Sequence, residues 1–204
     1  MAALEHPSDD DLMVRIARGD RDAFALLYRR FRPDVFRFAL HVSGSRSVAD
    51  DVTQDVFMAV IHEGARYEAG RSSVRAWLLG ITRNHVRRTR ARRVDSSLDD
   101  DPSAAALSVD ADPLPDLARR EDLTALRRAV VQLPVKFREA IVLCDLQELS
   151  YVDAAAALGC ALGTVRSRLH RGRALLARRL RTGRCSVRRQ ADVNGPLKPA
   201  ATEE

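Results

Sequence analysis

Aromatic residues make up only 5% of this 204-residue chain, and ten glycines and eight prolines are all the backbone punctuation it carries. Strand-like alternation is scarce while Ala, Leu, Arg and the acids abound, so the composition argues against sheets and for an all-α protein. Lysine occurs at Lys136 and Lys198 only, which makes the cationic surface a guanidinium surface. Cys144, Cys160 and Cys185 have no C-x-x-C spacing, and His6, His41, His62, His85 and His170 form no ligand pattern with them, so no metal site is expected. Cys144 continues the apolar stripe Phe137, Ala140, Ile141 and reads as a small buried hydrophobe. Three scattered thiols suit a reducing cytoplasm. No uncharged apolar run approaches the roughly 18 to 20 residues of a membrane span, and MAALEHPSDDDL has no basic region leading into an apolar stretch. A cytoplasmic protein with no membrane insertion is expected. No nucleophile, metal set or paired acid and base has coherent spacing, which speaks against an enzyme, a cofactor or a small-molecule substrate. The aspartates at 99–101 read as a solvated charge run.

What is present is charge, in blocks. The net charge is +6, but residues 61–93 sum to +7 and residues 94–126 to −7, while residues 164–189 hold ten arginines and no acid. Two basic blocks with an acidic segment between them point to polyanion contacts at two places.

Apolar residues recur at helical spacing through the first half: Phe24, Leu27, Tyr28 and Phe31; Val35, Phe38, Ala39 and Val42; Val48, Val52, Val56 and Val60; Val74, Trp77, Leu78 and Ile81. Four amphipathic helices sharing one core are predicted over residues 1–93. Starts are expected at residues 8–10 and at Ser47 with Asp50, stops at Gly44 and Gly64, and a kink or division at Pro33. From 94 to 116 the periodicity vanishes, leaving seven Asp, three Pro, four Ser and no Lys or Arg: an acidic, flexible linker. Helical spacing resumes at Leu123, Leu126, Val130 and Leu133, with Pro134 at a favourable first-turn position, and defines a second domain over 117–181. Residues 182–204 are expected to form a disordered tail.

The second domain ends in two helices joined by a glycine turn, SYVDAAAALG followed by GTVRSRLHR. In the second of these, Val165, Leu169, Gly172 and Leu176 share one sector, and Arg166, Ser167, His170 and Arg171 lie opposite. One face packs and the other is free to read base edges, with Arg168 and Arg173 on the flanks towards phosphates. This is the form of a DNA-reading helix-turn-helix; the blander reading is a helical hairpin with a basic exposed face. Upstream, Val74, Trp77, Leu78 and Ile81 oppose Arg83, Arg87 and Arg90, with Asn84 between them. The preceding loop, GARYEAGRSS, supplies glycines, hydroxyls, arginines and Tyr67, means by which an unstacked base can be gripped. A plain surface loop with Tyr67 packed inward fits these residues equally well.

Three runs, DDVTQDVF at 50–57, AWLLGITRN at 76–84 and the helix-turn-helix from Leu149, resemble in order the bacterial sigma-70 family of RNA polymerase sigma factors, in its two-domain extracytoplasmic-function (ECF) class. The similarity spans about residues 11–180. It implies a region 2 helical bundle over 1–93 and a region 4 helix-turn-helix over 117–181. Region 2 would bind core RNA polymerase through Asp51, Gln54 and Asp55, and would melt and capture minus-10 DNA through Tyr67, Arg71, Ser72, Ser73, Arg83, Asn84, Arg87 and Arg88. Region 4 would read the minus-35 element through Arg166, Ser167, Arg168, His170, Arg171 and Arg173. The acidic linker would thread the polymerase channel, and an anti-sigma factor would mask the DNA-facing domains. The chain departs from the family pattern at Gly80, where a basic residue is common, at Tyr67, where Phe is frequent, at Cys160-Ala161-Leu162, where a proline often sits, and at Gly172, where Ala is usual. Two rival readings are a stand-alone helix-turn-helix transcriptional regulator and an interaction protein that sequesters a partner by helix packing.

Overall fold

The computed structural model describes residues 7–96 and 117–193, with side chains described over 7–92 and 123–182. Every regular element among them is helical: α1 (Asp9–Ala17), α2 (Arg21–Ser43), α3 (Arg46–Glu63) and α4 (Val74–Ser96), then α5 (Leu117–Val131), α6 (Val135–Ile141), α7 (Tyr151–Leu158) and α8 (Leu162–Val193). A single 3₁₀ turn, Gly64–Arg66, follows α3, and a π-helical turn, Val142–Leu146, extends α6.

Helix boundaries follow from side chains that satisfy the free N–H groups of a first turn. Ser8 caps α1 through Asp11 N, Asp20 caps α2 through Asp22 and Ala23 N, and Ser150 caps α7 through Asp153 N. The α3 cap is Ser45, whose hydroxyl accepts from Val48 N, so this helix begins two residues ahead of the start expected at Ser47. Gly44 ends α2 in the left-handed region, with φ +76°. Gly64 is right-handed and leads into the 3₁₀ turn. Pro33 does not divide α2, which is continuous through it. The proline removes one N–H from the ladder, but buried Phe31 and Val35 on either side hold both halves of the helix in the core.

The end of the chain differs from the sequence expectation. Where a disordered tail was expected from 182, α8 continues to Val193. No proline interrupts it before Pro196, and a lone Gly183 costs a helix only about 1 kcal/mol. The expected linker falls almost entirely on 97–116, outside the described residues.

The two helical modules are packed together. Leu12, Leu27, Phe38, Val52, Val56 and Leu78 belong to the same buried apolar cluster as Leu133, Ile141, Leu143, Leu158, Val165 and Leu169. Helix α4 lies along α7, and α2 meets α5, α6 and the π turn. Gly80 lies at the contact of α4 with α7, where an added Cβ would stand 3.5 Å from the carbonyl oxygen of Ala157, an ordinary contact distance. Polar groups fasten the same seam. Arg138, almost wholly buried, donates to the carbonyls of Val42 at the end of α2, Val131 at the end of α5, and Leu133. A guanidinium suits two helix C-termini, where unpaired carbonyls and the helix dipole concentrate negative potential. Burial pushes its pKa down to about 10, which leaves it charged at neutral pH. Gln147 Nε2 donates to the Asp34 carbonyl at 2.7 Å.

Candidate nucleic-acid interface

Helix α8 divides as its sequence requires. Val165, Leu169 and Gly172 are buried, with Gly172 held against Phe137 and Ile141 of α6. Arg166, Ser167, His170 and Arg171 are exposed on the other side, with Ser167 Oγ returned to the Thr164 carbonyl. Of the two flanking arginines, Arg168 is half-buried near Cys160, and Arg173 makes a two-bond pair with Asp145 at 3.0 and 2.6 Å. Helix α7 supports this element. Ser150 and Asp153 bond each other's groups across its first turn, and Gly159, at φ +57°, makes the left-handed turn into Cys160 and Ala161, the two residues before α8. Beneath it, burial pushes the Cys144 thiol up to about 11, so it remains protonated at neutral pH.

The loop ahead of α4 is braced. Tyr67 is half-buried edge-on against Trp77, 5.6 Å between ring centres. Its hydroxyl donates to Asp10 of α1 and lies 3.0 Å from the Ser72 carbonyl. Burial and the neighbouring Asp10 hold the phenol pKa well above its ordinary value. Arg71 is exposed and paired with Glu68, and Ser72 is half-buried. Ser73 serves two partners, accepting from Ala76 N to start α4 and donating to Asp153 of α7 at 2.8 Å.

Along α4, Asn84 and Arg88 are exposed. Arg83 and Arg87 instead turn to the second module and converge on Glu139 of α6. That carboxylate has no solvent exposure; it accepts from Arg83 Nε at 3.0 Å and from Arg87 Nε and Nη2 at 2.9 and 3.2 Å. The expected outward face of α4 is thus partly an inter-module face. Sequence reasoning passed over Glu139 because it is one acid in a short amphipathic helix, and its partners lie 52 and 56 residues away.

On α3, Asp51, Gln54 and Asp55 are exposed, with Asp55 3.5 Å from His85. Of the three, Gln54 lines a groove with Phe24, Tyr28, Phe57, Met58 and Ile61. Met58 and Ile61, about half exposed, continue the row of Gln54 at i+4 and i+7, a spacing that marks them on one face with it. No helix among the described residues is long and apolar enough to cross a membrane.

Comparison with known proteins assigns both modules. The family described as Sigma-70 region 2 matches residues 27–95, and the one described as Sigma-70, region 4 matches residues 123–176. The chain is 37% identical over 186 residues to the probable RNA polymerase sigma-C factor of Mycobacterium bovis, covering 83% of this chain and 92% of that protein. It is 39% identical over 181 residues to the ECF RNA polymerase sigma factor SigM of Mycobacterium tuberculosis, covering 85% of each. Among solved structures, the sigma factor RpoE of Bartonella quintana, crystallised with the anti-sigma factor NepR, superposes with a TM-score of 0.66 at 32% identity, covering 78% of this chain and 96% of that one. CnrH, solved with the cytosolic domain of CnrY, gives a TM-score of 0.65 at 29% identity over 86% of this chain and 99% of that one. A stand-alone regulator has no reason to carry region 2 ahead of a helix-turn-helix, and with both regions matched in order, the chain belongs to the ECF class of bacterial RNA polymerase sigma factors.

Proposed function

We propose that this chain binds core RNA polymerase and gives it promoter specificity, with region 4 reading minus-35 DNA and region 2 capturing the melted minus-10 strand. The observation that carries this reading is the division of α8 into a buried Val165, Leu169 and Gly172 face and an exposed Arg166, Ser167, His170 and Arg171 face. Guanidinium and imidazole groups on a helix that fits the major groove can donate to guanine edges, and Ser167 can serve either base. Arg168 and Arg173 stand on the flanks, where phosphates would pass. Arg173 would exchange its exposed pair with Asp145 for one of them, at little cost because surface pairs contribute only about 0 to 1 kcal/mol.

Minus-10 capture is assigned to Tyr67, Arg71, Ser72, Ser73, Arg83, Asn84, Arg87 and Arg88. The Tyr67 and Trp77 edge-to-face pair supports this reading, since a fixed aromatic surface is what an unstacked base requires. Core polymerase docking is assigned to Asp51, Gln54 and Asp55, with Met58 and Ile61 supplying apolar contact beside them. The subunit acts in the cytoplasm, has no catalytic centre and contributes binding energy only. An anti-sigma factor would act by covering the same faces.

The test is run-off transcription with reconstituted core enzyme. Arg171→Ala should reduce initiation from a duplex promoter at least tenfold, while binding of the holoenzyme to a pre-melted minus-10 fragment changes less than twofold. Equal losses on both templates would end this division of labour, and failure of the wild-type chain to direct any defined start would end the whole reading.

A further inference from the structure

Arg83 and Arg87 sit one turn apart on α4 with their guanidiniums converging on a single anion, the Glu139 carboxylate. The arrangement has the features of a phosphate site: two planar forks and charge-assisted bonds of 2.9 to 3.2 Å, with Arg83 largely buried and Arg87 reaching in from the exposed edge. Yet the anion comes from the chain itself. Glu139 lies on α6 in the other module, has zero exposure, and all three of its described bonds go to these two arginines. When the modules separate, the Glu139 carboxylate and both guanidiniums return to water, and the two arginines become available to another anion.

Further contacts run along the same seam. Ser73, in the loop assigned to base capture, is occupied by Asp153 of α7. Gly80, midway along the buried stretch of α4, faces the Ala157 backbone, where an added Cβ would stand 3.5 Å from the carbonyl oxygen.

We propose that in the free chain Glu139 fills an anion site formed by Arg83 and Arg87 for a nucleic-acid phosphate, so that packing of the modules and capture of single-stranded DNA by α4 exclude each other. Gly80 lies at the α4–α7 contact that the closed state makes. The inference rests on the assignment of α4 to strand capture.

Three properties of the full-length chain without polymerase test it: affinity for a labelled single-stranded oligodeoxynucleotide by fluorescence anisotropy, radius of gyration by X-ray scattering, and helix content by circular dichroism. Glu139→Ala removes the internal anion. Gly80→Gln drives a neutral wedge between α4 and α7 without altering net charge. Both should keep their helix content, expand, and bind the oligonucleotide at least tenfold more tightly than wild type, and adding Arg83→Ala with Arg87→Ala to either should abolish the gain. Expansion with unchanged affinity, a gain that survives loss of both arginines, or a gain in Glu139→Ala alone would overturn the proposal. Run-off transcription by wild-type chain with core enzyme separates the two levels: if it initiates normally while the variants gain nothing, closure is wrong and the sigma assignment stands.

Discussion

Two glycines show how much of this fold depends on an absent side chain. Gly44 ends α2 at φ +76°, and an added Cβ would stand 2.9 Å from Val131 Cγ1 of α5. Gly44→Ala therefore meets both a backbone penalty of roughly 1 to 2 kcal/mol and a steric one. Urea denaturation should show a loss of about 2 kcal/mol, whereas Gly163→Ala, in helical backbone where the same atom would enter open space, should gain roughly 0.4 to 1 kcal/mol. Gly172 is a different case. Sequence alone makes it a poor helix residue by about 1 kcal/mol relative to Ala, and the structure supplies the reason it is tolerated, since a Cβ there would press on Ile141 at 3.1 Å. The stop at Gly44 was legible because glycine after a helical stripe is a local signal. The neighbours of Gly80 and Gly172 were not, because they come from distant parts of the chain.

Periodicity located the helices well at the level of elements. The stripes from Phe24, Val35, Val48 and Val74 are the buried sides of α2, α3 and α4, and the polar sector of α8 is where the sequence pattern puts it. What periodicity cannot express is which helix an outward face meets. The stripe in α4 is correct, yet Arg83 and Arg87 on its other side face α6, and only tertiary placement reveals this. Arg138 is a second instance. It occurs in VKFREAI as one more charged helix residue, but it is buried and joins the carboxyl ends of α2 and α5. Arg138→Met keeps much of the volume and leaves three carbonyls without their donor. A loss of about 2 to 4 kcal/mol in chemical denaturation is expected, with Arg138→Lys recovering only part of it because an ammonium lacks the planar fork.

For the whole molecule, the seam between modules carries a titratable group. His41, half-buried on α2, has its pKa held below the ordinary 6.5, first by burial and then by Arg127 of α5 and Arg37. The folded chain thus binds this proton less readily than the unfolded chain. The stabilising contribution is complete above pH 6.5 and is lost progressively as pH falls below it. Thermal unfolding between pH 7.5 and 5.5 should show a melting temperature that declines on acidification, with His41→Gln flattening the slope. Salt should act through other groups, since the exposed pairs Arg15 with Asp20 and Arg66 with Glu63 are easily screened while Glu139 is not. The π turn at Val142–Leu146 adds a constraint of another kind. By closing on the fifth residue, with Gln147 N bonded to Val142 O, it takes up one residue more than an α-turn, and this sets the headings of Asp145 towards Arg173 and of Gln147 towards Asp34. Removing any one residue from that stretch would rotate everything downstream by about 100°, so the docking of the halves is written in the spacing of the chain as well as in its chemistry, and a single lost codon can uncouple them while every contacting side chain survives.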